Sequence, residues 1–561
     1  MKILPFLALA PASLVFLGAE GGLSAEAPPR ERRVPAEYPT IQAAIDAAVD
    51  GDTVRVAAGV YGESIRWQGK RIALIGAGAS ATILDPGAGA GGRCLTLENV
   101  PAPAEVRGLA CRNGSADTGG GILIRGGSPA LRSLTLQSNT ATAGPGGGVR
   151  VDQGSVTVED CSFLDNRAPE VDPPAHAPPP NGGGLYAGPS SHVTVSASSF
   201  ARNSALRGGG MSIEEGTEAV VRRATFEDNT GGLHVGDAGS VDVAESAFLR
   251  NRRGGGLHAP FSGVVNVSDT LFEGNVSDLR GGGMYARLGE ARVTRSVFRG
   301  NTSALGGGLA LTESDLTLTD SSFVGNHATE NGGGLGFIIG GAQIERTRFL
   351  DNEAAASGGG VYVASDSHTS VESTVFRGNR AGADGGGMAA RSVIDVSWEN
   401  CAFSDNLAGT LGGAVNINVF HGVAAMVGST LTRNAAGEHG GGIAVRDGDL
   451  MSILNTILWE NRPDQLWFDE SIPPTSTSVT YSDVQGGFPG EGNIDADPLF
   501  LDAARGDLRL RPSSPARDAG FDNGELSPTD LAGNPRVHGP APEMGAYEFS
   551  PPGRSRGRGA Q

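Results

Sequence analysis

Two short motifs alternate along more than 300 residues of this chain, and their regular spacing limits the folds it can adopt. Ten segments read Phe-x-x-Asn and three more carry Leu in place of Phe; their asparagines are Asn139, Asn166, Asn203, Asn229, Asn251, Asn275, Asn301, Asn326, Asn352, Asn379, Asn406, Asn434 and Asn461. Gly-Gly-Gly-apolar segments lie between them, and successive copies are mostly 24 to 28 residues apart. Such a period is typical of stacked units that cannot bury their apolar faces alone. The 561 residues are therefore predicted to form an elongated solenoid.

Each repeat contains short runs of alternating polarity, which predict β-strands. In residues 146–166, Val149 and Val151 point one way while Arg150 and Asp152 point the other, and Val156 and Val158 repeat the pattern. When the repeats are aligned, both inward positions after the glycines are apolar in every copy. A helix would scatter these positions around its axis, so the pattern excludes a helical repeat.

The asparagines and glycines fit the bends of such a coil. Stacked asparagines can hydrogen-bond their amides from coil to coil, tolerate left-handed backbone angles and form a ladder inside a turn. Glycine supplies bends where a side chain would clash. Parallel crossovers are right-handed, so we predict an all-β, right-handed parallel β-helix of about 16 coils.

Changes in the pattern divide the chain into segments. Residues 1–25 resemble a secretory signal peptide, with Lys2 followed by an apolar run. The β-helix is predicted over 34–461, with a capping helix over 40–50 that begins at Thr40 and ends at Gly51. The period is lost over 462–549, which we assign to a C-terminal capping module, and 550–561 reads as a disordered tail.

Composition limits the partners. The net charge of −19 argues against nucleic acid, whose phosphates need basic residues. No stretch after the signal is long and apolar enough to span a bilayer. We therefore expect a monomeric extracellular or cell-surface protein with a glycan or another surface as its partner. No cofactor or metal site is predicted, although the acidic surface could collect calcium. Asp495 and Asp497 could hold calcium too, but we favour a turn as the explanation of the Asp-Ala-Asp-Pro segment.

The four cysteines fall into two kinds. Cys161 and Cys401 take the place of small residues two positions before Phe163 and Phe403, and nine repeats separate them, so they cannot pair. We read both as buried substitutes for Ser or Thr. Cys94 and Cys111 lie in neighbouring coils and could form a disulfide.

Three parts of the sequence resemble known β-helix proteins. The alternation of Gly-Gly-Gly-apolar with Phe-x-x-Asn over roughly 119–461 resembles the repeats of the chlamydial polymorphic outer-membrane proteins. The stretch 38–45 with 59–61 is similar to the opening coil of pectate-lyase-like β-helices, and segments of 497–549 resemble the end module of many secreted bacterial β-helix proteins. The resemblance implies the fold; because β-helices host lyases, hydrolases, adhesins and scaffolds, it does not select an activity.

The outward position beside the glycines is the best candidate for a binding surface. It is rich in rings and charge, and the candidate residues are Arg150, Tyr186, His234, His258, Tyr285 and Tyr362. Rings in a row along a parallel sheet could stack on sugars, and His234 and His258 would stand one strand apart, near enough to share a metal or perturb each other's protonation. We favour the plainer reading, in which these residues form an ordinary solvated face of a half-exposed sheet, because any repeat produces such columns.

Catalytic residues are not identified by any motif. Neither a lyase-like calcium site with its basic residue nor the paired carboxylates of a hydrolase motif is present as a signature. Glu214 and Arg287, two residues further along their strands, could serve a site there, but single charges at outward positions are usually only solvated. We therefore expect a scaffold or adhesin-like protein that binds glycan, and the alternative is a polysaccharide lyase or glycoside hydrolase without a recognisable motif.

Overall fold

The protein is a right-handed parallel β-solenoid of about 16 coils with almost no helix. The structure is a computed structural model that describes residues 28–88, 92–171, 179–447, 450–469 and 477–549. The predicted signal peptide over 1–25 and the tail over 550–561 lie outside the described residues. The fold class predicted from the repeat is confirmed.

Each coil runs through up to four short strands, which we number in chain order from the glycine triplet. The first strands are Ile65–Gln68, Leu95–Val100, Ile122–Gly127, Val149–Asp152, Leu185–Ala187, Met211–Ile213, Leu233–Val235, Leu257–Ala259, Met284–Arg287, Leu309–Thr312, Ile443–Asp447 and Leu466–Phe468. The second strands are Glu31–Val34, Thr53–Val56, Ala73–Gly76, Glu105–Arg107, Ala130–Arg132, Ser155–Glu159, His192–Ser196, Glu218–Arg222, Ser240–Ala244, Val264–Ser268, Glu290–Thr294, Asp315–Thr319, Leu450–Leu454 and Thr477–Thr480. In four coils the two merge into one long strand: Leu335–Glu345, Val361–Glu372, Met388–Glu399 and Val415–Val427.

The third strand carries the motif Phe. These strands are Gly59–Tyr61, Thr82–Leu84, Ala110–Arg112, Thr135–Gln137, Ser162–Leu164, Ser199–Ala201, Thr225–Glu227, Ala247–Leu249, Leu271–Glu273, Val297–Arg299, Ser322–Val324, Arg348–Leu350, Val375–Arg377, Ala402–Ser404, Thr430–Thr432, Ile457–Trp459 and Asp483–Val484. The fourth strands follow the ladder Asn: Ser115–Ala116, Thr140–Ala141, Thr302–Leu305, His327–Asn331, Glu353–Ala354, Arg380–Ala381, Leu407–Ala408 and Ala435–Ala436. Within each class, strands pair in parallel with the equivalent strand of the next coil.

The core is built from files of equivalent side chains. Both predicted inward columns of the first strand are buried, from Ile122 and Ile124 to Ile443 and Val445. Beside them the motif phenylalanines from Phe163 to Phe403 stack with ring centroids 4.4 to 5.1 Å apart. Stacking at strand spacing keeps each ring in contact with two others, which makes the interior continuous along the axis.

The asparagine ladder is present along its whole predicted length. Each ladder Asn donates its side-chain amide to the Oδ1 of the next Asn and to the carbonyl of the third strand one coil before, as Asn326 does to Asn352 at 2.9 Å and to Phe298 at 2.9 Å. Its backbone N–H donates to the same Oδ1 at 3.0 Å. The ladder begins at Asn139 and ends at Asn461, whose amide donates to the Gln465 side chain.

The reason given for asparagine is partly wrong. The left-handed residue is the one before the ladder Asn, as with Asp165 at φ 56° and Arg202 at φ 52°. Asparagine is used because its amide can serve as donor and acceptor at once inside a bend closed to water. The ability of Asn to adopt left-handed backbone angles does not explain its use at this position.

A second ladder of hydroxyl groups runs through the small column before each Phe. The Ser296 hydroxyl donates to the carbonyl of Thr294 and accepts the N–H of Thr270 from the previous coil. Cys161 and Cys401 occupy this column, are buried and unpaired, and direct their thiols to the same kind of carbonyl. Burial raises the pKa of both thiols to about 12, which fits the reading of both as replacements for Ser or Thr.

The ends differ from the expectation in detail. The capping helix spans Ile41–Ala47, with the Thr40 hydroxyl accepting the Ala43 N–H, and Ala48, which is extended, ends it before the predicted Gly51. Parallel pairing continues past residue 461 into Leu466–Phe468, Thr477–Thr480 and Asp483–Val484. Cys94 and Cys111 form a disulfide.

The C-terminal module lies along the side of the solenoid. Its strands Phe500–Asp502 and Asp507–Leu510 pair antiparallel. Later residues contact successive coils: Ser527 binds Glu372, Thr529 accepts from Asn400, and Ala546 donates to Thr430. The module therefore contacts several successive coils on the outer surface of the solenoid and links them.

Candidate functional site

The predicted ring column forms a single file, as the strand register requires. Arg150 pairs with Tyr186, Tyr186 with Ser212, Ser212 with His234, His234 with His258 and His258 with Tyr285. Tyr362 lies in the same file, separated from Tyr285 by Ala310 and Gly336. The sequence therefore identified the alignment correctly.

The file is covered by the protein itself, which corrects the expectation of a solvated face. Tyr186 is 4% exposed, His234 2%, and Tyr285 and Tyr362 8% each. The fourth strand folds back at the glycine triplet over the outer face of the first strand, so that Leu305 packs with Tyr285, Ala310 and Tyr362. Only Arg150 and His258 retain intermediate exposure, so the rings do not form an open platform for sugars.

The two histidines pair with each other. Their Nδ1 atoms are 3.2 Å apart, so one ring donates and the other accepts. Burial lowers the pKa of His258 to about 4, and Arg207 adds to the effect. Burial, His258 and Arg207 hold the pKa of His234 well below its usual value. Both rings are therefore neutral at physiological pH. In the described part of the chain, no third His, Cys, Asp or Glu joins them to form a metal cluster.

Charged groups lie at the end of the same strands. Asp152 and Glu214 occupy equivalent positions two coils apart, with Gly188 between them and Gly236 beyond. Glu214 Oε1 accepts from Ser212 Oγ at 2.8 Å and from Asn181 Nδ2 at 2.9 Å. Burial raises the pKa of the Glu214 carboxyl, although these two donors and Arg207 oppose the shift.

Arg150 links the two features. Its Nε binds both Asp152 oxygens, at 2.8 and 2.9 Å, and its guanidinium lies 5.6 Å from the Tyr186 ring centroid. Burial, followed by the Glu214 and Asp152 carboxylates, raises the pKa of Tyr186, and Arg150 opposes them. The Tyr186 hydroxyl therefore stays protonated and can donate a hydrogen bond.

A polar groove that the sequence analysis did not predict lies on the second strands. A groove with a volume of about 690 Å³ follows one outward file across five coils, through Glu290, Asp315, Gly341, His368 and Asp395. A parallel file through Thr317, Gln343, Ser370 and Ser397 lines its other side. Stacking the outward positions of the second strand, as was done for the first, would have found it.

The groove combines polar and apolar groups. His368 Nδ1 and Asp395 Oδ2 are 2.8 Å apart, and their side chains are 57% and 51% exposed. Asp315 Oδ1 accepts the Gly341 N–H at 2.9 Å. Leu288, Ile339 and Ile394, which precede the groove residues Glu290, Gly341 and Asp395 by one or two positions in sequence, are exposed. Such a surface can bind a ligand that has both hydroxyl edges and C–H faces.

Other predicted features stay structural. Arg287 pairs with Glu313 at 2.9 Å and covers the Phe261 ring. Asp495 and Asp497 each accept a backbone N–H, from Gly486 and Leu499, as turn-forming aspartates do. No helix in the described residues has the length and apolar character to cross a membrane.

Comparison with known proteins places the fold among β-helices. A family model described as "Right handed beta helix region" matches residues 104–275 and 153–345. A search of curated proteins finds no match.

Three solved structures represent the similar folds. The pectate lyase Pel9A shares 13% identity, covers 93% of this chain and 97% of its own, and has a TM-score of 0.24. A mannuronic acid-specific family 6 polysaccharide lyase from human gut microbiota shares 11% identity over 67% of this chain and 87% of its own, with a TM-score of 0.32. A GH87 α-1,3-glucanase catalytic domain shares 11% identity over 75% of this chain and 66% of its own, with a TM-score of 0.27. The β-helix fold itself is shown by the strand pairing and by the family match.

Proposed function

We propose that the protein is an exported β-helix scaffold that binds a glycan chain lengthwise in the second-strand groove. The observation that carries the proposal is the exposed outward file Glu290–Asp315–Gly341–His368–Asp395 with its parallel file of hydroxyl and amide groups. Both repeat at the strand spacing of ~4.8 Å, so a polymer lying along the axis meets similar groups repeatedly.

The charge of the groove selects among glycans. Three of the five residues in the outer file are carboxylates, and carboxylates accept hydrogen bonds from sugar hydroxyls but repel uronates and sulfates. Exposed Leu288, Ile339 and Ile394, each one or two positions before a groove residue in sequence, offer apolar surface that suits the C–H faces of sugar rings. The ligand class that fits is therefore a neutral glycan.

Export to an oxidising compartment is part of the proposal. It is supported by the signal-like residues 1–25 and by the Cys94–Cys111 disulfide, a bond that persists outside the reducing cytosol. The net charge of −19 suits a soluble surface there.

The test is binding of the full chain to arrays of neutral and acidic glycans, followed by calorimetry on the best ligand. Gly341→Trp fills the groove: a Cβ at 341 meets only Asp315 Oδ1, at 3.2 Å, so the side chain projects outward without disturbing the core. We expect at least a tenfold loss of affinity, whereas Glu218→Trp, at the same position of an earlier coil outside the groove, changes little. Preference for acidic glycans, or equal binding by both variants, would refute the proposal.

A further inference from the structure

A second concave site lies on the same face of the solenoid as the groove, near the N-terminal end of the described chain. We propose that this site also binds the glycan, so that one long neutral chain occupies both sites at once. The inference rests on the proposed function, because it takes the groove to be a site for a neutral glycan. Three observations support it: the room and lining of the second site, its paired charges, and the strand register that joins it to the groove.

The second site has room for sugar rings and is open to solvent. Its volume is about 750 Å³, and exposed Pro28, Pro29 and Pro103 contribute to its lining. Ala73 and Ala130, at half-exposed outward positions of second strands, line it as well. Proline rings and alanine methyl groups offer apolar surface, and covering that surface with the C–H face of a sugar removes it from water. The site therefore suits the same kind of ligand as the groove.

The charges of the second site favour a neutral ligand. Asp50 and Arg71 form an ion pair at 3.0 Å. Arg132 lies between two carboxylates, 3.2 Å from Glu105 and 3.0 Å from Glu159. A uronate or sulfate would have to compete with these carboxylates for the guanidinium groups, whereas a sugar hydroxyl can hydrogen-bond to a carboxylate that is already paired, since each oxygen has two lone pairs.

The register of the second strands places both sites on one file of outward residues. The file leaves the second site at Thr157 and enters the groove at Thr317. Every residue between these two is exposed or half-exposed, so the described chain leaves the path open. The residues along it are, in order, Thr194, Val220, Asp242, Asn266 and Arg292.

The distance between the sites sets the length of chain that can reach both. Six strand spacings separate Thr157 from Thr317, which is ~29 Å along the axis. A shorter chain occupies one site at a time. In a longer chain, binding of one end holds the other end near the second site, and such linkage raises affinity by ~10²–10⁴-fold without any new kind of contact.

The experiment is calorimetry of the full-length protein with size fractions of the neutral glycan that binds best on the array, some shorter and some longer than ~29 Å. We expect two short chains or one long chain to bind per protein, and the long fractions to bind at least ~10-fold more tightly than the short ones. Ala130→Trp and Ser128→Trp fill the second site. Each should remove the gain of the long fractions and leave short-chain binding in the groove unchanged.

The matched control is Ala247→Trp, at a half-exposed outward position of a third strand on another face of the solenoid. This variant should keep the full gain of the long fractions. Because short-chain binding in the groove requires a folded solenoid, it also reports whether each variant folds. Should one of the two blocking variants lose it, the other decides.

Failure of the second site and failure of the proposed function give different results. If short fractions do not bind, or if Gly341→Trp leaves their binding unchanged, the groove is refuted and the two-site arrangement with it. If Gly341→Trp weakens short-chain binding but long fractions gain nothing over short ones, only the second site is overturned. The same holds if Ala130→Trp and Ser128→Trp both keep the gain.

Discussion

At the scale of single residues, the ladder asparagines are the positions that the sequence determines most strongly. Asn326 donates to Asn352 and Phe298 and accepts from Asn301, so one side chain satisfies polar groups of three coils. Its exposure is zero, and no water can replace these bonds. A repeated Asn in a period of this length can therefore be interpreted from sequence alone.

We predict that Asn326→Ala lowers the free energy of unfolding by ~1–3 kcal/mol, because Asn301 loses its acceptor and the Phe298 carbonyl its donor. Thr329→Ala, three residues away and exposed, should change it by less than ~0.5 kcal/mol. Urea denaturation of both variants measures the difference. Equal stability of the two would show that the ladder does not stabilise the coil.

The solvent exposure of a side chain was harder to predict than the face of the strand on which it lies. Alternation placed Tyr186 and His234 correctly on the outward side of their strands, but outward did not mean solvated. Their burial depends on the path of the chain between each ladder Asn and the next glycine triplet, which is not a regular strand in these coils. A period-two pattern carries no information about that path. The hydrogen bond from Asn181 to Glu214 was missed for a related reason: it joins residues of different coils.

At the scale of elements, the glycine triplets determine the bend that covers the first strand. Gly306 has φ 64°, and a Cβ there would overlap the Leu309 carbonyl oxygen. Gly325 has a similar φ of 60° but nothing within 4 Å of that point. The pair separates the cost of a left-handed backbone from the cost of close approach.

We predict that Gly325→Ala costs ~1–2 kcal/mol, the penalty of a left-handed conformation alone. Gly306→Ala should cost a further ~1–3 kcal/mol because the bend must open. Thermal and chemical denaturation compare the two variants. A Gly306→Ala change no more costly than Gly325→Ala would mean that the triplet does not set the approach of the two strands.

The small column shows what a pattern can predict about packing. Its Ser, Thr and Cys residues were expected to be buried, and they are, but the hydroxyl ladder between coils was not foreseen. Cys161 keeps the contact with its own strand through the Glu159 carbonyl. The sequence alone gives the size of each side chain. A hydrogen bond between coils can be predicted only when the register of their strands is known.

At the scale of the whole molecule, the C-terminal module is docked through buried carboxyls. Arg536 is 3% exposed and lies near Glu548 at 3.4 Å, while Glu543 and Glu548 each keep an oxygen without a partner in the described structure. Ser527 donates its N–H to Glu399 of the solenoid. Asp483 is fully buried and lies near the carboxylates of Asp495 and Asp497. The sequence showed a module without a period but not the surface on which it would lie.

We predict that docking of this module weakens as pH rises. Burial raises the pKa of Glu543 to about 6, and it also raises the pKa of Glu399, which accepts the Ser527 N–H. Because these carboxyls bind protons more tightly when folded, their stabilising contribution is complete below pH ~4 and is lost as pH passes ~6. Hydrogen exchange of residues 527–549, corrected for intrinsic rates, measures it.

Glu543→Gln is the control for the pH effect. Arg517, Arg536, Asp518 and Glu548 surround this carboxyl, and a neutral amide removes its titration while keeping its size. Protection in the variant should depend less on pH than in the wild type. Protection that increases with pH in the wild type would contradict the account.

The central claim is that successive coils lie directly above one another in register. Spin labels at exposed positions of one second-strand file test it, because Thr194, Asp242, Arg292, Gln343 and Ser397 are successive alternate members of that file. With one label fixed at Thr194, pulsed electron–electron double resonance should give distances near ~10, ~19, ~29 and ~38 Å to the other four positions. The distance then increases by ~4.8 Å for each coil. Distances that level off or change out of order along the series would contradict the stacked arrangement.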